Sequence, residues 1–476
     1  MRHQVYRKIW EERDALVQRA KEGADRIGIP SELRGKIGLS GAFSSAPGAM
    51  RREVIEAVSE SLSVPGPLAP IVDDIRDEVK AYYGDDYDAA PVCTCEAGLW
   101  TAFDVLVSPQ MGRTTPAPVH YVMPMEKQLH HHGSYGQMYP PMYKDLLSDR
   151  GATSGEMGLS MHRFPNVNVN VVPLAGATYP VHGINAHPYE SLTRVDPEGS
   201  KKLLEETALV HQSHLAGFSS MGYDTPGYGY GVHDSDGTPA LQRMIGELAS
   251  RFRVPYIQDN AYALPFIGTD IRKTNADVMV YSMDKIAGAP TSGLIIGKAD
   301  AMVPIRRALG YQGNRSLSPT GYGQGGLVVF DPGKVALIGQ RLVLKNLRAR
   351  PEIWTAPVHR ILAIIREEFD AGIPAHIRKG ILVTPTYNAG SVEVCWDQTW
   401  DDGVGLPLSP VADYYCGIGL CASVLRDMGV MTLDSYVSPG YGTTDAEGNL
   451  VEDNMRYAVK AMVEMFRIFG ELLGIW

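Results

Sequence analysis

The chain carries an aspartate and a lysine at the ends of two apolar runs. Asp259 closes "VPYIQD", and Lys285 follows "ADVMVYSMD", 26 residues later. Each run reads as a buried strand. Both side chains are therefore placed at the carboxyl edge of a sheet, where open α/β sheets bind ligands. An amine and a carboxylate at that edge suit pyridoxal 5′-phosphate (PLP). The lysine can condense with the aldehyde as a Schiff base, and the aspartate can keep the pyridine nitrogen protonated so that the ring accepts electrons. Once displaced by a substrate amine, the lysine can move protons at Cα. Taken singly, an aspartate at a strand end is most often a cap or turn residue, and a lysine there is most often solvated. The reading rests on the two occurring in order with a phosphate turn upstream.

That turn is "CTCEAG" (93–98), at a strand–turn–helix junction. A phosphate needs backbone N–H groups at a helix start, and Thr94, Cys95 and Glu96 are placed to supply them. Ser282, three residues before Lys285, can add a hydroxyl. Histidines at two places are candidates for further contacts. "LHHHGSYGQMY" (129–139) holds three consecutive histidines, which cannot all face one metal ion on a helix or strand. Read from the residues alone, the run is a plain loop. His211 and His214 end "TALVHQSH", read as a strand reaching the ligand edge, where either can relay a proton. A hydrogen-bonded structural histidine is an equal alternative. A substrate carboxylate calls for an arginine fork, and Arg163, Arg315 and Arg456 are the candidates.

The elements needed to position these residues are legible as alternating strands and helices. "PVHYVMP", "VNVNVVPLAG", "TALVHQS", "VPYIQD", "ADVMVYSM" and "GLIIGK" read as strands; "DPEGSKKLLEE" and "TPALQRMIGELASRF" read as helices. Such alternation implies a mostly parallel sheet covered by helices. The link "APTSG" is too short for a helical crossover, so "GLIIGK" is expected antiparallel to its predecessor. A helical segment is expected over 1–50, a large domain over 51–330, and a smaller α+β domain over 331–476. In the last, a helical region over 333–371 is broken at Pro351 and Pro357.

Bulk properties bound the partners. With 44% hydrophobic and 21% charged residues, the 476-residue chain is globular. A net charge of −10 without a basic stripe argues against nucleic acid. The five scattered cysteines read as free thiols of a reducing compartment, and those of "DYYCGIGLCASVL" as core residues of a helix. The charged N-terminus and the lack of a long apolar run lead to an expectation of a cytoplasmic protein without a membrane span.

The segment "SMDKIAGAPTSGLIIGK" resembles the lysine segment of bacterial selenocysteine synthase (L-seryl-tRNA selenium transferase) and its small-molecule relatives. The shared pattern is a Ser, then Asp-Lys, a Gly-Pro turn and a strand ending Gly-Lys. "AGATYPVHG" (175–183), "TALVHQSHLAGFSS" (207–220) and the stretch 238–259 are similar in order and spacing, so the resemblance covers roughly 90–300. It implies an α/β fold of type I PLP-dependent transferases, a mixed and mostly parallel sheet of seven-stranded type with a smaller C-terminal α+β domain. It further implies Lys285 as Schiff-base lysine, Asp259 as pyridinium partner, His131 or His132 placed to stack on the cofactor ring, and a homodimer or larger assembly. Met283 and "APTS" (289–292) depart from the family pattern, and no basic N-terminal tRNA-binding domain is visible. The branch typified by D-glucosaminate 6-phosphate ammonia-lyase is therefore the better match. The expected activity is a PLP-dependent lyase acting on a small amino acid by α,β-elimination or β-replacement. Alternatives are an aldolase- or desulfurase-type C–C or C–S lyase, a seryl-tRNA selenium transferase, and an inactive PLP-fold binding protein. Retention of both Asp259 and Lys285 speaks against the last.

Overall fold

The computed structural model describes residues 11–39, 50–107, 119–124, 167–177, 195–222, 230–310, 327–386, 390–395, 420–432 and 436–476. Contacts divide the chain into two units, one within 53–351 and the other joining residues up to Arg52 with Glu352–Trp476.

The first unit is built on a seven-stranded sheet. Its strands are β1 (Tyr87–Val92), β2 (Val119–Pro124), β3 (Val167–Val172), β4 (Leu215–Met221), β5 (Tyr256–Asn260), β6 (Val278–Ser282) and β7 (Gly293–Lys298). Their order is β1-β7-β6-β5-β4-β2-β3. The pairs from β3 through β2, β4 and β5 to β6 are parallel, whereas β7 runs antiparallel to both β6 and β1. The short link after Lys285 thus turns the chain straight back, as expected. The β5, β6 and β7 runs are almost wholly buried, as a sheet covered on both faces requires.

Helices α1 (Ala69–Tyr83), α2 (Cys95–Leu106), α3 (Pro197–Val210), α4 (Ala240–Phe252), α5 (Ala299–Ala308) and α6 (Gly333–Ala349) belong to this unit. α2 lies unusually close to the sheet. A Cβ at Gly98 would fall 2.7 Å from Val280 Cγ1 and 3.2 Å from both Ile295 and Val92 side chains, so only glycine permits the approach. Ala97, Leu99, Ala102 and Phe103 of α2 are buried as well. The helix start is thereby fixed beside the ends of β1, β6 and β7.

One expected strand is a helix end. "TALV" completes α3, His211 follows it, Gln212–His214 form a 3₁₀ turn, and β4 begins only at Leu215. The reason lies in the period. Ser200, Leu204 and Ala208 point inward at four-residue spacing, while Leu209 and Val210 are exposed.

The second unit has its own core. Helices α7 (Glu352–Gly372) and α8 (Glu452–Leu473) pack with the helix Arg13–Arg26 through Ile361, Phe369, Met462, Phe466, Leu16 and Ala20. An antiparallel sheet of β8 (Leu382–Pro385), β9 (Val392–Cys395) and β10 (Tyr436–Val437) joins them. The N-terminal segment therefore belongs with the C-terminal one, and α6 belongs with the large unit. Pro351 separates α6 from α7, but Pro357 is accommodated inside α7.

At the start of β1 the sheet edge is tied by an ion cluster. Asp88 takes both Arg76 Nε and Nη2 (2.7 and 3.0 Å) and also Arg306 Nη1 (3.0 Å). Burial pushes the Asp88 carboxyl up, but the Arg76 hydrogen bonds and the Arg306 charge outweigh it and hold it below the usual carboxylate range. A depressed folded value means that this stabilisation is present above about pH 4 and is lost as pH falls through it. Asp88→Asn leaves two guanidinium groups facing each other in a buried site. It is expected to cost about 3–5 kcal/mol in urea unfolding at pH 7, a loss that shrinks toward pH 3.

Candidate functional site

Asp259 and Lys285 meet at the carboxyl edge of β5 and β6. Asp259 pairs with Val280 across the strands, and Lys285 lies three residues beyond the last residue of β6. Asp259 is 1% exposed and Lys285 8%. The aspartate is held from two sides: Oδ1 accepts from Ala261 N at 2.9 Å, and its own carbonyl accepts from Gly222 N at 2.7 Å. Oδ2 is buried and has no hydrogen-bond partner among the described residues. Burial raises the Asp259 carboxyl to about 6, against the Ala261 hydrogen bond and the Lys285 charge, which both lower it. A carboxylate in that condition lacks one donor, and a protonated pyridine nitrogen supplies one.

Lys285 sits in a braced turn. Met283 N donates to Ser292 O (2.9 Å), Ala289 N to Met283 O (2.8 Å) and Gly288 N to Lys285 O (3.2 Å). Gln340 of α6 donates to Gly293 O (2.9 Å), fixing the far side of the turn. The Lys285 ammonium nitrogen stands 4.1 Å from the centre of the Tyr262 ring. Tyr262, itself buried, is a site residue that the sequence reading missed. The available signal was an aromatic three residues after Asp259, on the loop that follows the strand end.

The 93–98 turn opens a helix. Thr94 is the N-cap of α2, with extended backbone, and its hydroxyl accepts from Ala97 N at 3.0 Å. Helix geometry directs the first-turn amides, Cys95 and Glu96 among them, at the helix's N-terminal approach. The Cys95 side chain is buried under β6, with Sγ 3.9 Å from Val280 O. Burial first, and Asp259 next, push its thiol well above the usual range, so Cys95 serves through its backbone and its packing. Gly293 abuts this turn. A Cβ there would lie 2.4 Å from Thr94 O and 2.7 Å from Cys95 N, so glycine is needed for the Lys285 turn and the α2 start to touch. The Thr94–Glu96 helix start, buried Lys285 and the half-satisfied Asp259 together fit PLP.

Other candidates fall elsewhere. Ser282 borders the site, but its hydroxyl donates to Asp284 Oδ1 at 2.5 Å. His211 and His214 precede β4, at the opposite edge of the sheet from Asp259. A seven-residue strand separates them from that edge by about 20 Å, so the expected placement at the ligand edge is corrected. His211 stacks on His120 with ring centres 3.9 Å apart, and His214 Nδ1 lies 2.8 Å from the Ser213 hydroxyl. Arg456 spends its guanidinium within the second unit on Glu367 (2.5 Å) and Glu368 (2.8 Å), so it does not present the free fork expected for a substrate carboxylate. Arg163, Arg315, His131 and His132 lie outside the described residues. No cluster of three or more metal-ligating side chains occurs among the described residues, nor does a helix long and apolar enough to cross a membrane.

The raised Asp259 value has a stability consequence in the cofactor-free protein. Above the unfolded value of about 3.9 the unfolded chain releases its proton first, so native stability is lost as pH rises from about 4 to about 6. Asp259→Asn removes that loss. Urea unfolding of the two cofactor-free proteins is expected to show wild type less stable than the variant by about 2–3 kcal/mol at pH 7, with the gap closing at pH 4.

No protein-family model matches the chain, and no curated protein matches it. Solved structures do match its fold. The SepCysS–SepCysE N-terminal domain complex is similar with a TM-score of 0.51 and 12% identity, over 92% of this chain and 95% of that one. Pyridoxamine-pyruvate aminotransferase of Mesorhizobium loti gives 0.49 and 14%, over 94% and 93%. A Thermus thermophilus aspartate aminotransferase mutant gives 0.48 and 12%, over 92% and 98%. The fold of this chain is that of the type I PLP-dependent transferases.

Proposed function

We propose that this chain is a PLP-dependent enzyme acting on a small amino acid, with α,β-elimination as its reaction. The observation that carries the cofactor is the buried Asp259 carboxylate, whose Oδ2 lacks a donor beside the buried Lys285. The lyase chemistry rests on the likeness of the Asp284-Lys285 segment to the small-molecule branch described above.

Each residue then has a definable task. Bound PLP supplies an electron sink for a carbanion at the substrate Cα. Asp259 holds the proton at the pyridine nitrogen, and its fixed bond to Ala261 N aims the free oxygen. The start of α2 binds the phosphate through the Cys95 and Glu96 amides. Lys285 anchors the cofactor and, when released, moves the proton at the substrate Cα. Tyr262 packs its ring on the lysine amine and limits where that amine can travel. The braced turn keeps water from the same amine, since Met283, Asp284 and Ala289 are all buried.

The test is direct. Wild-type protein incubated with PLP is expected to develop a visible absorption band that borohydride fixes covalently, and Lys285→Ala is expected to show none. A colourless wild type that takes up no cofactor contradicts the reading. Incubation with a panel of β-substituted small amino acids is then expected to yield keto acid and ammonia without an added keto acid. A requirement for a keto-acid acceptor would make the enzyme an aminotransferase, and product only with charged tRNA would make it the selenium-transferase type.

A further inference from the structure

The turn that delivers Lys285 carries a second buried carboxylate, to which the cofactor reading gives no task. Asp284 is 2% exposed, and Oδ1 accepts a 2.5 Å hydrogen bond from the Ser282 hydroxyl, also 2% exposed. A serine hydroxyl has one proton and two lone pairs. With its proton on Asp284, Ser282 offers only acceptor capacity to anything else nearby. Ser282 is the cross-strand partner of Gly293, and Gly293 lies against Thr94 O and Cys95 N. The hydroxyl therefore borders the α2 start, where a phosphate would be received. A phosphate dianion is an acceptor only, and it gains nothing from a hydroxyl engaged in this way. A phosphate monoanion keeps one P–OH, which can donate to the Ser282 oxygen.

We propose that Asp284 is a positioning residue that draws the Ser282 proton away from the α2 start. The phosphate is then held by backbone N–H groups, and its singly protonated form is less disfavoured than it would be beside a donating Ser282. This rests on the cofactor reading above. It also departs from the sequence expectation, in which Ser282 donates to the phosphate.

The test is a double-mutant cycle read by PLP dissociation constants and by ³¹P NMR, with thermal melting to confirm folding. Ser282→Ala is expected to weaken PLP binding by about twofold or less in the wild-type background. In the Asp284→Ala background the hydroxyl is free to donate to the phosphate, and the same change is expected to cost about 5–10-fold. Asp284→Asn keeps an acceptor for Ser282 and is expected to behave like wild type in this cycle. The bound phosphate is expected to titrate at higher pH in wild type than in Asp284→Ala, a readout that a purely structural role would not move. A loss of more than about fivefold from Ser282→Ala alone overturns the proposal, even should Asp284→Ala fail to fold. So does an equal loss in both backgrounds, or a phosphate that titrates identically with and without Asp284. Failure of the wild type to bind any PLP removes this proposal together with the cofactor reading, whereas binding with additive effects overturns this proposal alone.

Discussion

A buried carboxylate with one oxygen unpaired is costly to keep, and the arrangement around Asp259 follows from tolerating that cost. Asp259 gains one amide bond and the field of Lys285, and neither overcomes desolvation. Replacing it by a neutral side chain would favour the folded state. A residue kept against stability needs another reason, and a cationic ring nitrogen that completes its hydrogen bonding is one. Folding strain and cofactor affinity are then two readings of the same missing bond.

The frame around Asp259 exists to keep three backbone segments at fixed separation. β5 ends in Asp259, the β6–β7 turn carries Lys285, and the α2 start carries the Cys95 and Glu96 amides. Two glycines set the spacing. Gly98 lets α2 settle onto Val280 and Ile295, and Gly293 lets β7 begin against Thr94. A side chain at either would push the α2 start away from the lysine turn. The short antiparallel return into β7 matters for the same reason. A helical crossover would leave the Lys285 turn as a long loop, whereas the tight return lets Ser292 and Gln340 brace it.

Much of this was legible in the sequence because it is local. Strand runs such as "VMVYS" and "GLIIG" are continuous and apolar, and a Thr before a helix start announces its own cap. What failed was either ambiguous in period or dependent on distant residues. "TALVHQS" mixes apolar and polar residues in a way that suits alternation, but its burial follows Leu204 and Ala208 at helical spacing, which carries His211 and His214 to the wrong edge. Arg456 looked like a free anchor, but its partners Glu367 and Glu368 lie almost ninety residues away in sequence. The union of the N-terminal helix with α8 is likewise non-local, recorded by buried Leu16 and Ala20 meeting Met462 and Phe466. Tyr262 was visible as a residue type but not as a contact, because nothing local fixes which way a loop aromatic turns.

The two aspartates flanking the lysine show how one residue type takes opposite tasks. Asp259 has a fixed donor on one oxygen and none on the other, so it is poised to receive a proton-bearing group from outside the chain. Asp284 is supplied from within by Ser282, so it makes no comparable demand on a ligand and instead decides what Ser282 can offer. The difference arises from where each lies relative to its strand. Asp259 lies within β5 and shares a sheet face with Val280, its cross-strand partner, beneath the start of α2. Asp284 lies past the end of β6, where the chain is already turning and a side chain can fold back on the residue two before it. A one-residue slip of β5 would bring Gln258 or Asn260 to the position that Asp259 holds opposite Val280. The braces on the Lys285 turn fix where the lysine and Asp284 stand, while the β5–β6 register and the Ala261 bond fix Asp259.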